Sequence, residues 1–143
     1  MHIPCTPVIA RAHVRRNVAL FLLTAVLATP AGSALAGDGT VPVRVGGSNQ
    51  VNACGTTGTI VGLDPKGENF LAVRAAPHIT ARETDRLAGG REVFVCGLQG
   101  AWMAVVYGKA KCGVNKPIAE RGPYKGPCKS GWVSKRFVEV IAG

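Results

Sequence analysis

The sequence predicts an all-β domain, a small barrel or sandwich of about five or six short strands stapled by disulfides. Three observations carry that expectation. β-Branched and aromatic residues gather in short runs: TIVGL (59–63), FLAVR (70–74), EVFVC (92–96), WMAVVY (102–107) and GWV (131–133). Turn-forming segments part them, namely DPKGEN, AAPHIT, AGG, GLQGA and a long Pro/Gly stretch. Short strands closely spaced between turn residues indicate a small all-β barrel or sandwich. Four cysteines, Cys54, Cys96, Cys112 and Cys128, accompany the runs.

The first 36 residues read as a secretory signal peptide. Arg11, Arg15 and Arg16 precede an uncharged apolar run at 18–28, and Ala34 and Ala36 stand before Gly37 as a small-x-small cleavage pattern. The run is too short for the roughly 20 apolar residues that span a bilayer, so no stable membrane span is expected after cleavage. The Arg15-Arg16 pair lacks the surroundings of a twin-arginine signal, and no lipobox cysteine follows the apolar run. Cleavage would remove Cys5, His2, His13 and three arginines and leave 107 residues. Lys and Arg then number 14 against 8 acids, a net charge of +6 in place of +9. The four remaining cysteines form an even set in an exported chain, which reads as two disulfides. A domain this small buries a modest share of its surface, so cross-links matter to its stability.

Residues 37–53, rich in Gly, Asn and Ser, read mainly as a flexible spacer, with one β-like run at 41–45 that would otherwise be an edge strand. The domain proper is then 54–143. Its one helix-like interval is 80–87, where Ile79, Glu83 and Leu87 recur at i, i+4 and i+8; an extended arm is the other reading.

The stretch FLAVRAAPHITARETDRLAGGREVFVCGLQGAWMAVVYG (70–108), followed after an interruption by SGWVSKRFVEV (130–140), resembles the bacterial SH3 (SH3b) family. Leu71, Val73, Arg74 and Pro77 fit the family's opening strand and loop, and Leu87 precedes Gly90. Val93 and Val95 fit the third element, Gly100, Trp102 and Val105 the fourth, and Gly131, Trp132, Val133 and Phe137 the last. The resemblance implies a small SH3-like barrel. In such a barrel the terminal strands pair, because an open edge invites aggregation. GWVSKRFVEV is therefore expected to lie along FLAVR, with Val133 and Val138 or Val140 capping a core of Leu71, Val73, Val93, Val95 and Val105. Gly131 would let the chain turn in after the preceding loop, and Ser134-Lys-Arg would form a single helical turn.

Ordinary SH3b sequences pass from the Trp strand to Gly-Trp-Val through a few residues, whereas this chain inserts 109–129. Three pairings of the cysteines are possible. Cys112 and Cys128 bracket a Pro/Gly-rich segment without periodicity, which favours a bridge across its base worth about 3 kcal/mol by loop closure; Cys54 and Cys96 are then left to each other. Zinc is the competing reading, but there is no CxxC spacing and no histidine cluster. The charge excess is local. Residues 37–108 carry six Lys/Arg and six acids, while 109–129 carry six Lys/Arg against Glu120. A solvated, solubilising loop is the plain reading; an arm attracting an anionic partner at short range is the functional one.

Catalysis needs a nucleophile with a base, paired carboxylates or a metal. The exported part offers Ser48, Ser130, Ser134 and one histidine, His78, in a turn. DPKGEN lacks the ligand spacing of a calcium loop, and no phosphate loop is present. The expectation is a non-enzymatic chain without cofactor or metal, and without the aromatic-basic platform of single-strand nucleic-acid binders. Candidate ligand-binding residues are Trp132, Tyr124, Lys116, Arg121, Lys125, Lys135 and Arg136. Tyr124 is read either as a flat contact or as packing, and Trp102 as cover for the core edge. The expected function is a monomeric periplasmic or secreted binding module for a cell-wall peptide, an anionic polymer or a protein, as the resemblance implies. Its rival is a periplasmic inhibitor or immunity protein that plugs an enzyme's cleft with the 112–128 loop, since a preorganised loop loses less entropy on binding.

Overall fold

A computed structural model describes residues 39–142; the expected signal peptide lies outside them. Among the described residues there are nine strands: β1 (Arg44–Val45), β2 (Thr56–Ile60), β3 (Leu71–Arg74), β4 (Glu83–Leu87), β5 (Glu92–Gln99), β6 (Trp102–Tyr107), β7 (Gly122–Pro123), β8 (Lys129–Ser134) and β9 (Val138–Ala142). A 3-10 turn at Lys135–Phe137 links the last two. The fold is all-β, and no helix among the described residues is long and apolar enough to cross a membrane.

Seven strands form one antiparallel sheet in the order β4-β3-β8-β6-β5-β2-β9, and β1 pairs with β7 in a separate ribbon. The large sheet ends on β4 and β9, so it is open rather than a closed barrel, and it has more strands than expected. The tail meets three strands, and β8 pairs along its whole length with β6. β8 meets β3 through the Arg74–Trp132 pair, as the Gly-Trp-Val reading anticipates. After the 3-10 turn, β9 runs instead along β2, pairing Ile60 with Val138 and Thr59 with Glu139. Val138 is buried there and Val140 is exposed.

Period-two alternation explains the packing. One face of the sheet buries Leu71, Val73, Leu87, Val93, Val95, Met103, Val105, Tyr107 and Val133 with Ile60 and Val138. This is the core read from the sequence, enlarged by β2, β4 and β6. The intervening residues Cys96, Ala104, Val106 and Trp132 face the other way, and they form a second core with Val43, Val45, Ala53, Cys54, Cys112 and Val114. β6 is thus covered on both faces, which is why MAVVY is an unbroken apolar run.

That second layer corrects two expectations. Residues 41–53 are not a spacer. Val43 and Val45 are buried, the Tyr124 N–H donates to the Val43 carbonyl at 2.8 Å, and the Val41 N–H donates to the Ala75 carbonyl at 2.8 Å. Nor is 109–129 thrown outward. Its backbone zips to the N-terminal segment through Ala53 N–H to Lys116 O (2.9 Å), Cys54 N–H to Val114 O (3.1 Å) and Gly47 N–H to Ile118 O (2.9 Å). Two irregular segments, each unable to satisfy its own backbone, satisfy one another. Of the two readings of 80–87 the extended one holds: Glu83–Leu87 is a strand with Leu87 in the first core, and Ile79, the start of the apolar stripe in the helical reading, stands 66% exposed.

The disulfides join Cys54 to Cys96 and Cys112 to Cys128. Cys96 sits where the β5–β6 register shifts between Val95 and Gly97, a bulge that takes it out of the ladder. Gly131 has a different role from the turn expected of it. It is buried inside β8, where an added Cβ would collide with the Val73 side chain and lie 3.1 Å from the Arg74 carbonyl.

A candidate ligand groove

A concavity of about 860 Å³ opens at the Trp102 end of β6. Four parts of the chain, with Ile79, build it. The 62–70 loop supplies Leu63, Asp64, Glu68 and Phe70, β3 supplies Ala72 and Arg74, the start of β6 supplies Trp102 beside Ala101, and the 3-10 turn supplies Arg136 and Phe137. Local sequence explains the positions. The Asp64 side chain accepts the Lys66 N–H at 2.9 Å and its carbonyl accepts the Gly67 N–H at 3.1 Å, so DPKG closes as an Asx-type turn. Phe70 and Ala72 alternate with the core residues Leu71 and Val73, and therefore face out of the core.

The 3-10 turn is tied on both flanks. The Lys135 N–H donates to the Ala101 carbonyl at 2.9 Å, and the Val61 N–H donates to the Phe137 carbonyl at 2.9 Å. Phe70 and Phe137 each carry a guanidinium over the ring, Arg86 at 4.0 Å and Arg136 at 4.4 Å from the centroid, a favourable placement for a cation. Trp102 is half-buried, with one side against the second core and another toward the groove. The wall therefore offers aromatic surface, two cations (Arg74, Arg136) and two acids (Asp64, Glu68). Arg74 is steadied by donating to the Ala81 carbonyl at 2.9 Å.

The seven residues expected to bind ligand do not converge. Arg136 lines the groove, and Lys135 is exposed beside it on the same turn. Lys116, Arg121 and Lys125 are exposed on the segment that covers the opposite face of the sheet. Trp132 is 7% exposed and spends its indole N–H on the Val41 carbonyl at 2.7 Å, so it is a core residue and not a ligand contact. Tyr124 is likewise engaged internally: its hydroxyl donates to the Cys112 carbonyl at 2.9 Å and accepts the Cys128 N–H at 3.1 Å. The packing alternative for Tyr124 is the correct one. Trp102 packs against the second core, in line with its reading as core cover, and also lines the groove; Phe70 lines it as well, a position signalled by its place out of phase with Leu71 and Val73.

At the other end of β6, Asp85 is a small hub. Its Oδ2 accepts the Tyr107 hydroxyl at 3.1 Å and the Lys129 ammonium at 2.8 Å, and its Oδ1 accepts the Arg86 N–H at 2.9 Å. The Lys129 hydrogen bond holds the Asp85 carboxyl below the usual carboxylate range, against an opposing push from partial burial. Burial, followed by the nearby Asp85 charge, pushes the Tyr107 phenol well above its ordinary value. Among the described residues no three of His, Cys, Asp and Glu cluster as a metal site. His78 is exposed, with Nδ1 2.8 Å from the Thr80 hydroxyl.

Comparison with known protein families, with curated proteins and with solved structures finds no match.

Proposed function

We propose that this chain is an exported, non-catalytic binding module of the SH3b kind, and that its groove takes an extended peptide of the cell envelope. The carrying observation is the composition of the groove wall: Phe70, Trp102 and Phe137 are set among charges of both signs. Aromatic surface with a few convergent polar groups is the usual make-up of a ligand cleft. Paired cations and acids suit a peptide bearing both a free carboxylate and a free amine, the chemistry of a cell-wall stem peptide. Two disulfides within the chain suggest an oxidising compartment, periplasmic or extracellular. The order of strand motifs from FLAVR to GWV supports the family reading, with the inserted segment as an added layer.

The rival, a loop that plugs an enzyme, has less support. Tyr124, the aromatic it would present, is committed to the loop's own backbone. Titration of the purified, oxidised chain with soluble stem-peptide fragments tests the groove reading. Binding should weaken about tenfold or more in Trp102→Ala and Phe137→Ala, since truncating an aromatic anchor costs 2 kcal/mol or more at a binding hot spot. Lys116→Ala with Arg121→Ala should leave it unchanged. No saturable binding, or equal loss in the loop variants, would remove the proposal.

A further inference from the structure

We infer that a second recess, at the Tyr107 end of β6, is an anion site for a phosphate group, with Arg91 and Lys109 as its main ligands. It encloses about 510 Å³ and is built from three separate parts of the chain: 85–91, 107–110 and 127–129. Four of its twelve lining residues are cations (Arg86, Arg91, Lys109, Lys129), and Asp85 is its one acid. The inference does not depend on the peptide groove, which lies at the opposite end of the strand.

Three features make this more than a surface with lysines on it. First, the acid is already engaged. Asp85 holds the Tyr107 hydroxyl and the Lys129 ammonium on one oxygen and the Arg86 amide on the other, so it fixes Lys129 at the rim. Arg86 is paired with Glu83, outside the recess, and lies over Phe70. Arg91 and Lys109 form no salt bridge among the described residues, and their charge is surplus. Second, Arg91 lines the recess together with Tyr107, so its charge is presented at the same concavity as the Asp85–Tyr107–Lys129 cluster.

Third, the frame is rigid. Arg91 is pinned through its own backbone, its carbonyl accepting the Ile60 N–H at 3.0 Å, while the neighbouring Gly90 N–H donates to the Ile60 carbonyl at 2.8 Å. On the facing wall the Cys112–Cys128 bridge holds the loop base, and the chain passes so close that a Cβ on Gly108 would lie 2.8 Å from the Cys128 sulfur. A backbone frame held before the ligand arrives leaves only the side chains of Arg91 and Lys109 to be ordered on binding. A guanidinium offers a planar two-hydrogen fork and an ammonium a point charge from another side, which together match an anion with several oxygens.

A phosphate group can come as the free ion or as the diester linkage of an anionic polymer, and two probes separate these sources. Inorganic phosphate and dimethyl phosphate are each titrated into the isotope-labelled, oxidised full chain at constant ionic strength, with backbone amide shifts as the readout. Saturable shifts confined to 88–91, 107–110 and 127–129 are expected for at least one probe; whichever binds more tightly identifies the source. Arg91→Gln with Lys109→Gln should weaken that probe about tenfold or more, and Asp85→Asn should tighten it by removing the opposing charge. Lys116→Gln with Arg121→Gln, equal in charge removed but outside the recess, should change affinity less than about twofold. Absence of saturation with both probes, or equal weakening by the two double variants, overturns the site. Unchanged amide spectra of the free variants verify that each is folded.

Discussion

Val114→Ala separates two views of the 109–129 segment. If the segment were a solvated basic arm, the side chain would have little to lose, and surface substitutions of that kind stay within about 0.5 kcal/mol. In the structure Val114 is 0% exposed and packs with Val43, Val45, Cys54, Val106 and Trp132. Truncation to Ala removes two carbons from that contact, about 0.8 kcal/mol each by transfer. The void left behind adds a term of similar size, because Cys112 is bridged to Cys128 and Cys54 to Cys96, so the walls cannot collapse freely. The expected loss is about 2–3 kcal/mol. Urea denaturation with both disulfides intact reads it directly. The midpoint should fall by about 1–2 M at unchanged slope, for a urea m-value of about 1.5–2 kcal/mol/M. A loss under about 0.5 kcal/mol would refute the reasoning, because it would show that the segment does not bury its apolar residues against the sheet.

Gly131→Ala should cost about 1–3 kcal/mol, since its Cβ must displace Val73 or part β8 from β3; the same denaturation assay measures it. Trp132→Phe should cost about 1 kcal/mol by leaving the Val41 carbonyl without its indole donor, and should bind stem-peptide fragments as the parent does. The Tyr107 phenol has a folded pKa above its unfolded value near 10, so its contribution is complete below about pH 10 and is lost as pH rises further. Stability measured against pH should therefore fall on the alkaline side in the parent, and this component of the fall should be absent in Tyr107→Phe. The Asp85 carboxyl has the opposite sign. Its lowered folded pKa contributes above about pH 4 and is lost as pH falls below it, a dependence that Asp85→Asn should remove.

Much of the first core was legible because it follows one rule. Leu71, Val73, Val93, Val95, Val105 and Val133 occupy alternate positions in short runs, and alternation on one face is what a half-buried strand imposes. The cysteine bracket was legible for a similar reason: a segment with three prolines and no apolar period needs a clasp at its base, and Cys112 and Cys128 supply it. The second core was harder to read because its parts are scattered. Val43 and Val45, Cys54, Val114 and Tyr124 each look like an isolated apolar residue in a loop, and only the fold brings them onto Ala104, Val106 and Trp132. Two clues were present. MAVVY is apolar at every position, which requires cover on both faces, and Cys96 lies out of phase with Val93 and Val95, which places its bridge on the far side of the sheet. Together they point to a buried Trp132. They also leave Trp102, at the start of β6, as the indole nearer the groove.

The two tryptophans therefore allow one decisive spectrum. The side-chain N–H signals of Trp102 and Trp132 are recorded on the labelled chain before and after addition of soluble stem-peptide fragments. The account predicts that the Trp102 indole signal shifts and saturates while that of Trp132, held on the Val41 carbonyl, stays in place and remains protected from solvent exchange. Movement of Trp132 with Trp102 unchanged, or no movement of either at saturating peptide, would contradict it.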